Sequence, residues 1–71
     1  MPGDIRTRFG QRLRSLRKKH GLTQAVLADK LGLDRSYLAE IEAGKRNVCL
    51  LNLTVIADGF GLTLSRLFSR L

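Results

Sequence analysis

The stretch LADKLGLDRSYLAEI, Leu27 to Ile41, constrains the chain more than any other. It has helical periodicity on both flanks, yet Gly32 interrupts it and a second helix restarts behind Asp34. Gly32 is the residue type that accepts a left-handed backbone without a Cβ clash, so the first helix can stop there and the chain can turn sharply. Asp34 can accept hydrogen bonds from the free amides of the restarted helix. Ala28, one turn before Gly32, is small where a second helix would cross close by, and Leu33 can leave the turn for a core. Leu38 and Ile41, three residues apart, would then anchor the second helix by one face. Two short helices meeting at a steep angle are what these positions require.

The remaining sequence supplies a body for that corner. Ile5, Phe9, Leu13 and Leu16 recur at helical spacing, an amphipathic first helix ending near His20-Gly21. Thr23 can cap a second helix whose inner stripe is Leu27, Ala28 and Leu31. The third helix follows Asp34 and ends at Gly44, and Lys45-Arg46-Asn47 reads as a polar loop. A fourth helix, roughly Leu50 to Phe60, carries Leu50, Leu53, Ile56, Ala57 and Phe60 toward the core. Gly59 sits in its last turn at about 1 kcal/mol relative to alanine, so fraying is expected there. Gly61 closes that helix, and a short fifth from Thr63 presents Leu64, Leu67, Phe68 and Leu71. Nothing reads as a strand, repeat or linker. The expected architecture is all-α, five short helices in a single domain over residues 1–71.

A domain of 71 residues builds a core worth about 3–5 kcal/mol without further help. Cys49 is the only cysteine, so neither an intrachain disulfide nor a cysteine-rich zinc site is available. Good helix packing, self-association, or both must supply the stability. No apolar run approaches the roughly 20 residues needed to span a bilayer. MPGDIRTRFG lacks the apolar segment of a signal peptide, so a cytoplasmic protein is expected.

Charge points to a partner. Thirteen Lys and Arg against six Asp and Glu leave a formal charge of +7, which favours a polyanion, nucleic acid before an anionic membrane. Arg6, Arg8, Arg12, Arg14, Arg17, Lys18 and Lys19 crowd the first twenty residues. A face selected only for solubility would look similar. A membrane role for the first helix competes with the core for the same apolar side.

Gln24, Ala28, Gly32, Leu38 and Ile41 together satisfy the geometry of a helix-turn-helix. With them, GLTQAVLADKLGLDRSYLAEIEAGKRN resembles that motif in the phage repressor and Cro/CI family, also called the XRE family. NLTVIADGFGLTLSRLF resembles the family's fourth and fifth helices, so the likeness runs from about Phe9 to Phe68. LDRSY and GKRN are also similar to the small controller proteins of restriction–modification systems. The sequence departs from the family at Ala25 and Val26, where acidic residues are common, and at Asp58-Gly59.

The resemblance implies a lambda-repressor-like fold in which helices 2 and 3 form the motif and helix 3 enters the DNA major groove N-terminus first. With Leu38 and Ile41 inward, the outward residues are Arg35, Ser36, Ala39 and Glu40, with Tyr37 at the margin. Arg35 can donate two hydrogen bonds to guanine O6 and N7, or one pair to a phosphate. Ser36 can bond a base or a phosphate. Tyr37 can pack a thymine methyl, donate to a phosphate, or serve as a half-buried structural residue. Ala39 can offer its methyl to thymine or simply permit close approach. Glu40 can accept from cytosine N4, orient a nearby arginine, or lie off the groove. Gln24 matches the family's phosphate-binding glutamine, while Thr23, Lys45, Arg46 and Asn47 flank the same surface and suit phosphates. Arg17 and Glu42 match a family pair read as a structural, partly buried ion pair that aims helix 3.

One such domain reads few base pairs, so a homodimer on a near-palindromic operator is expected, with half-sites about 34 Å apart. Leu64, Leu67, Phe68 and Leu71 exceed what a one-turn helix is expected to bury within its own chain, and form the expected seam. An antitoxin that binds a toxin and its own promoter is the rival class, although the chain offers no spare segment to wrap a partner. An enzyme is not expected: His20, the single histidine, reads as a cation at a helix end, and Cys49 as a small apolar residue without a base partner. No cofactor, metal site or small-molecule ligand is evident.

Overall fold

Side-chain caps set where the helices begin. In the computed structural model, which describes residues 3–71, the elements are α1 (Ile5–Lys19), α2 (Gln24–Leu31), α3 (Arg35–Glu42), α4 (Leu50–Gly59) and α5 (Leu64–Leu67). Asp4 accepts from the amides of Arg6 and Thr7 at 2.9 and 3.2 Å. Thr23 accepts from Val26 at 3.1 Å, Asp34 from Ser36 at 2.8 Å and Thr63 from Arg66 at 3.1 Å. Each bond satisfies a helix amide that has no partner within its own helix. Hydrogen bonds from the Arg6 side chain, and then from the Thr7 amide, hold the Asp4 carboxyl below its ordinary value. α4 starts behind Cys49 without a side-chain cap.

The corner between α2 and α3 follows from Gly32. Its φ is +69°, a conformation that spares only a residue without Cβ. That turn lets the Gly32 amide donate to Asp29 at 3.2 Å and the Leu33 amide to Ala28 at 2.9 Å, closing α2. Leu33 then packs against the core and Asp34 restarts the chain as helix. The same closure recurs after α3, where the Lys45 amide donates to Glu40 at 2.9 Å.

α1 lies against α3, α2 against both α3 and α4, and α4 against α5. Leu13, Leu27, Leu38, Ile41, Ile56 and Leu67 are the large side chains fully shut from water. Two glycines permit the closest crossings. A Cβ on Gly10 would collide with the Ile41 carbonyl oxygen and lie 2.7 Å from that of Glu42, so glycine is what lets α1 cross the last turn of α3. A Cβ on Gly59 would meet the Leu31 side chain. The glycine that reads as a weakness in α4 therefore makes room for α2.

Three expectations from the sequence need correction. Ile5 is 54% exposed and Leu50 71% exposed, so neither belongs to the core. Both occupy the first turn of their helix, where periodicity names the face but no neighbouring element covers it. Leu67 is fully buried, and Leu64, Phe68 and Leu71 pack against the core. α1 reaches toward α5: Phe68 lies 5.6 Å from the Phe9 ring, and Arg12 donates to the carbonyls of Leu67 and Arg66 at 3.0 and 2.8 Å. Leu67 therefore offers no surface to a partner, while Leu64, Phe68 and Leu71 are part-buried. The fourth helix also ends at Gly59, with Phe60 as its cap rather than its last residue. His20 caps α1, its Nδ1 2.9 Å from the Leu16 carbonyl and its ring 5.0 Å from Phe60.

Candidate nucleic-acid interface

α3 is held from behind and free in front. Leu38 and Ile41 are locked in the core, while Arg35 and Ser36, at the opening of the helix, are exposed. Ala39 and Glu40 are part-exposed on the same outward side, and Tyr37 lies at its margin. Thr23, Lys45, Arg46 and Asn47 are exposed around it, and Gln24 is half-buried.

One flank of α3 is tied to α1. Arg17 donates to both Glu42 carboxylate oxygens, at 2.7 and 3.0 Å, and to the Leu22 carbonyl at 2.9 Å. Gln24 donates to the same carboxylate at 3.1 Å. The side chains of Arg17 and Glu42 are only 11% and 4% exposed. A planar guanidinium matches a carboxylate with two parallel bonds, which fixes orientation as well as distance. Hydrogen bonding to Glu42 raises the Arg17 pKa further, against the opposing effect of burial, so the guanidinium stays charged. Gln24, whose side-chain amide has two donor hydrogens, spends one on Glu42 and is thereby coupled to α3. Arg14, which sequence reasoning did not single out, lines the cleft beside Arg17, Gln24 and Ala39. Its position on the polar face of α1 was readable; its proximity to α3 depends on the crossing at Gly10.

The other flank is tied to α4. Arg46 donates to Glu40 at 2.7 Å and lies 5.3 Å over the Tyr37 ring. Asn52 of α4 donates to the Tyr37 hydroxyl at 3.1 Å. Asn52 was also missed, because only the fold brings α4 beside α3.

A short helix with an exposed N-terminal end, set rigidly at a corner in a basic all-helical body, defines a helix-turn-helix DNA-binding domain. The sequence profile of the helix-turn-helix family matches residues 13–67, and the chain belongs to that family. Control protein C.MunI of a Mycoplasma species is 54% identical over 67 residues, 93% of this chain and 90% of that protein. Control protein C.BamHI of Bacillus amyloliquefaciens is 40% identical over 63 residues, 87% and 78% of the two chains. The crystal structure of the restriction-modification controller protein C.AhdI from Aeromonas hydrophila superposes with a TM-score of 0.84 at 46% identity, covering 89% of this chain and 96% of that one. The chain is a DNA-binding transcriptional regulator, and the family and these relatives are regulators rather than enzymes. Among the described residues, no helix is long and apolar enough to cross a membrane.

Proposed function

We propose that residues 1–71 form a single cytoplasmic Cro/CI-type domain that works as a homodimer on a near-palindromic operator, as a control protein of a restriction–modification system regulating its own operon. The exposure of Arg35 and Ser36 on a helix whose opposite face is locked by Leu38 and Ile41 carries this reading. In it, Arg35, Ser36, Tyr37, Ala39 and Glu40 meet base edges, and Thr23, Gln24, Lys45, Arg46 and Asn47 meet phosphates. Arg17 and Glu42 aim α3 without touching DNA.

The dimer seam is redrawn. Leu67 leaves it, and Leu50 and Leu51, 71% and 73% exposed at the start of α4, become its centre. Val48 and Leu53, close to them in sequence, line a largely apolar groove with Ile5, Phe9 and Phe68, joined by Arg6, Arg46 and Asn47. A two-fold axis would place the leucines of each copy in the groove of the other, the self-complementary arrangement a symmetric dimer requires.

Selection of bound duplexes from a random pool, with sedimentation at micromolar protein, tests the proposal. The expected result is a dimer, a near-palindromic consensus, and relaxation of one base position per half-site in Arg35→Ala. Contact with six to eight phosphates would give a salt slope of roughly −5 to −7. A monomer throughout, or a consensus indifferent to Arg35→Ala, overturns it.

A further inference from the structure

The Glu40–Arg46 pair differs from Arg17–Glu42 in one respect that matters for DNA. Its side chains are 45% and 51% exposed, and a pair so open to water is weak enough to exchange partners. Both members lie on or beside the outward side of α3. Tyr37 and Glu40, three residues apart, share a flank of that helix. The turn at Gly44, with φ +77°, returns the chain so that Arg46 folds back over them. Asn52 steadies the platform through the Tyr37 hydroxyl at 3.1 Å.

A DNA phosphate offers Arg46 two anionic oxygens, as the Glu40 carboxylate does. If Arg46 moves to a phosphate, however, the Glu40 carboxylate is left without its cation at the surface facing the duplex. Repulsion from the backbone then opposes binding on any sequence. One major-groove arrangement relieves it: a cytosine whose N4 amine donates to the carboxylate. We infer that Glu40 and Arg46 form an exchangeable latch, in which Glu40 withholds Arg46 from phosphates unless a cytosine amine takes the place of the guanidinium. Glu40 thereby determines specificity mainly by weakening binding to wrong sequences. Asn52 and Tyr37 are positioning residues that keep Arg46 within reach of both acceptors. This inference rests on the proposed reading of α3 as the helix that meets DNA.

Glu40→Gln keeps the shape of the side chain and removes its charge. The latch requires this variant to bind random-sequence duplex roughly tenfold more tightly at moderate salt. Its salt slope should steepen by about 0.9 for each Arg46 released, close to 2 for a dimer. Selection from a random pool should lose a C·G preference at one position per half-site. Adding Glu40→Gln to Arg46→Ala should produce a smaller gain on random DNA, from relief of repulsion alone, and no steeper salt slope, because no guanidinium is left to release. Thermal melts confirm that each variant is folded. An unchanged affinity and slope for Glu40→Gln on random DNA overturns the latch, as does an equal gain in the Arg46→Ala background. Arg35→Ala, measured in parallel, separates the two ideas. If it relaxes the consensus while Glu40→Gln changes nothing, the latch alone fails; if it leaves the consensus intact, the reading of α3 fails first.

Discussion

Replacing Gly10 by alanine sets two effects of known size against each other. In an isolated helix the change stabilises by about 1 kcal/mol, because alanine surrenders less backbone freedom than glycine. Here the new methyl would strike the Ile41 carbonyl oxygen and sit 2.7 Å from that of Glu42. These are backbone atoms in the last turn of α3, a turn anchored by the bidentate bond from Arg17. Relief requires α1 and α3 to separate, and overpacking of this kind costs about 1–3 kcal/mol, with a backbone obstacle at the upper end. The net expectation is a loss of about 2 kcal/mol, a fall in Tm on the order of 10 °C for a domain this size. Gly59→Ala is the internal control. There the methyl meets only the end of the part-buried Leu31 side chain, which can rotate aside for about 0.5–1.5 kcal/mol, so gain and loss nearly cancel. Urea and thermal unfolding at one fixed protein concentration compare the two variants, since association would otherwise shift Tm. A Gly10→Ala protein as stable as Gly59→Ala, or more stable than the parent, would refute the close-crossing account.

Four further outcomes are expected. Glu42→Gln strands the Arg17 guanidinium in a largely closed site and should lower unfolding free energy by about 3 kcal/mol, read from urea titration. Asp34→Ala removes the cap of α3 and should lose about 1 kcal/mol in the same assay. Leu67→Ala should lose about 2–5 kcal/mol by opening a cavity, whereas Leu51→Ala should stay within about 0.5 kcal/mol at concentrations where the protein is monomeric. The Asp4 carboxyl has its folded pKa below the ordinary 3.8. Its contribution is therefore fully present above that value and fades as pH falls through the lower, folded one. Circular dichroism of wild type and Asp4→Ala should differ in helix content near neutrality and converge in strong acid.

Local signals were legible in the sequence. Thr23, Asp34 and Thr63 announce helix starts because a cap acts on amides two or three residues away. Gly32 announces the corner for an equally short-range reason. The inward positions of Leu38 and Ile41 followed from spacing, and with them the exposure of Arg35 and Ser36. What escaped were relations between distant segments. Gly10 carries no signal of its own in the sequence; its role shows only when the carbonyls of α3 are seen against it. The apolar residues around α5 look surplus because no sequence pattern shows Leu67 sealed in the core, Phe9 against Phe68, or Arg12 bonded to the α5 carbonyls. Leu50 has the right phase for burial, but phase does not reveal whether anything lies opposite. The pairing of Arg46 with Glu40 needs the turn at Gly44 to bring a loop back over a helix, and Asn52 needs the whole of α4 to be placed.

The bonds from Arg12 to the carbonyls of Leu67 and Arg66, with Phe9 against Phe68, join the opening helix to the closing one. During synthesis, at roughly 5–20 residues per second, α1 emerges before the segment that supplies these contacts. Until α5 arrives, Phe9 lacks the Phe68 ring and the Arg12 guanidinium lacks its two carbonyl acceptors. The packing of α1 is therefore completed only after α5 has been made, so the order of synthesis delays closure on this side of the domain.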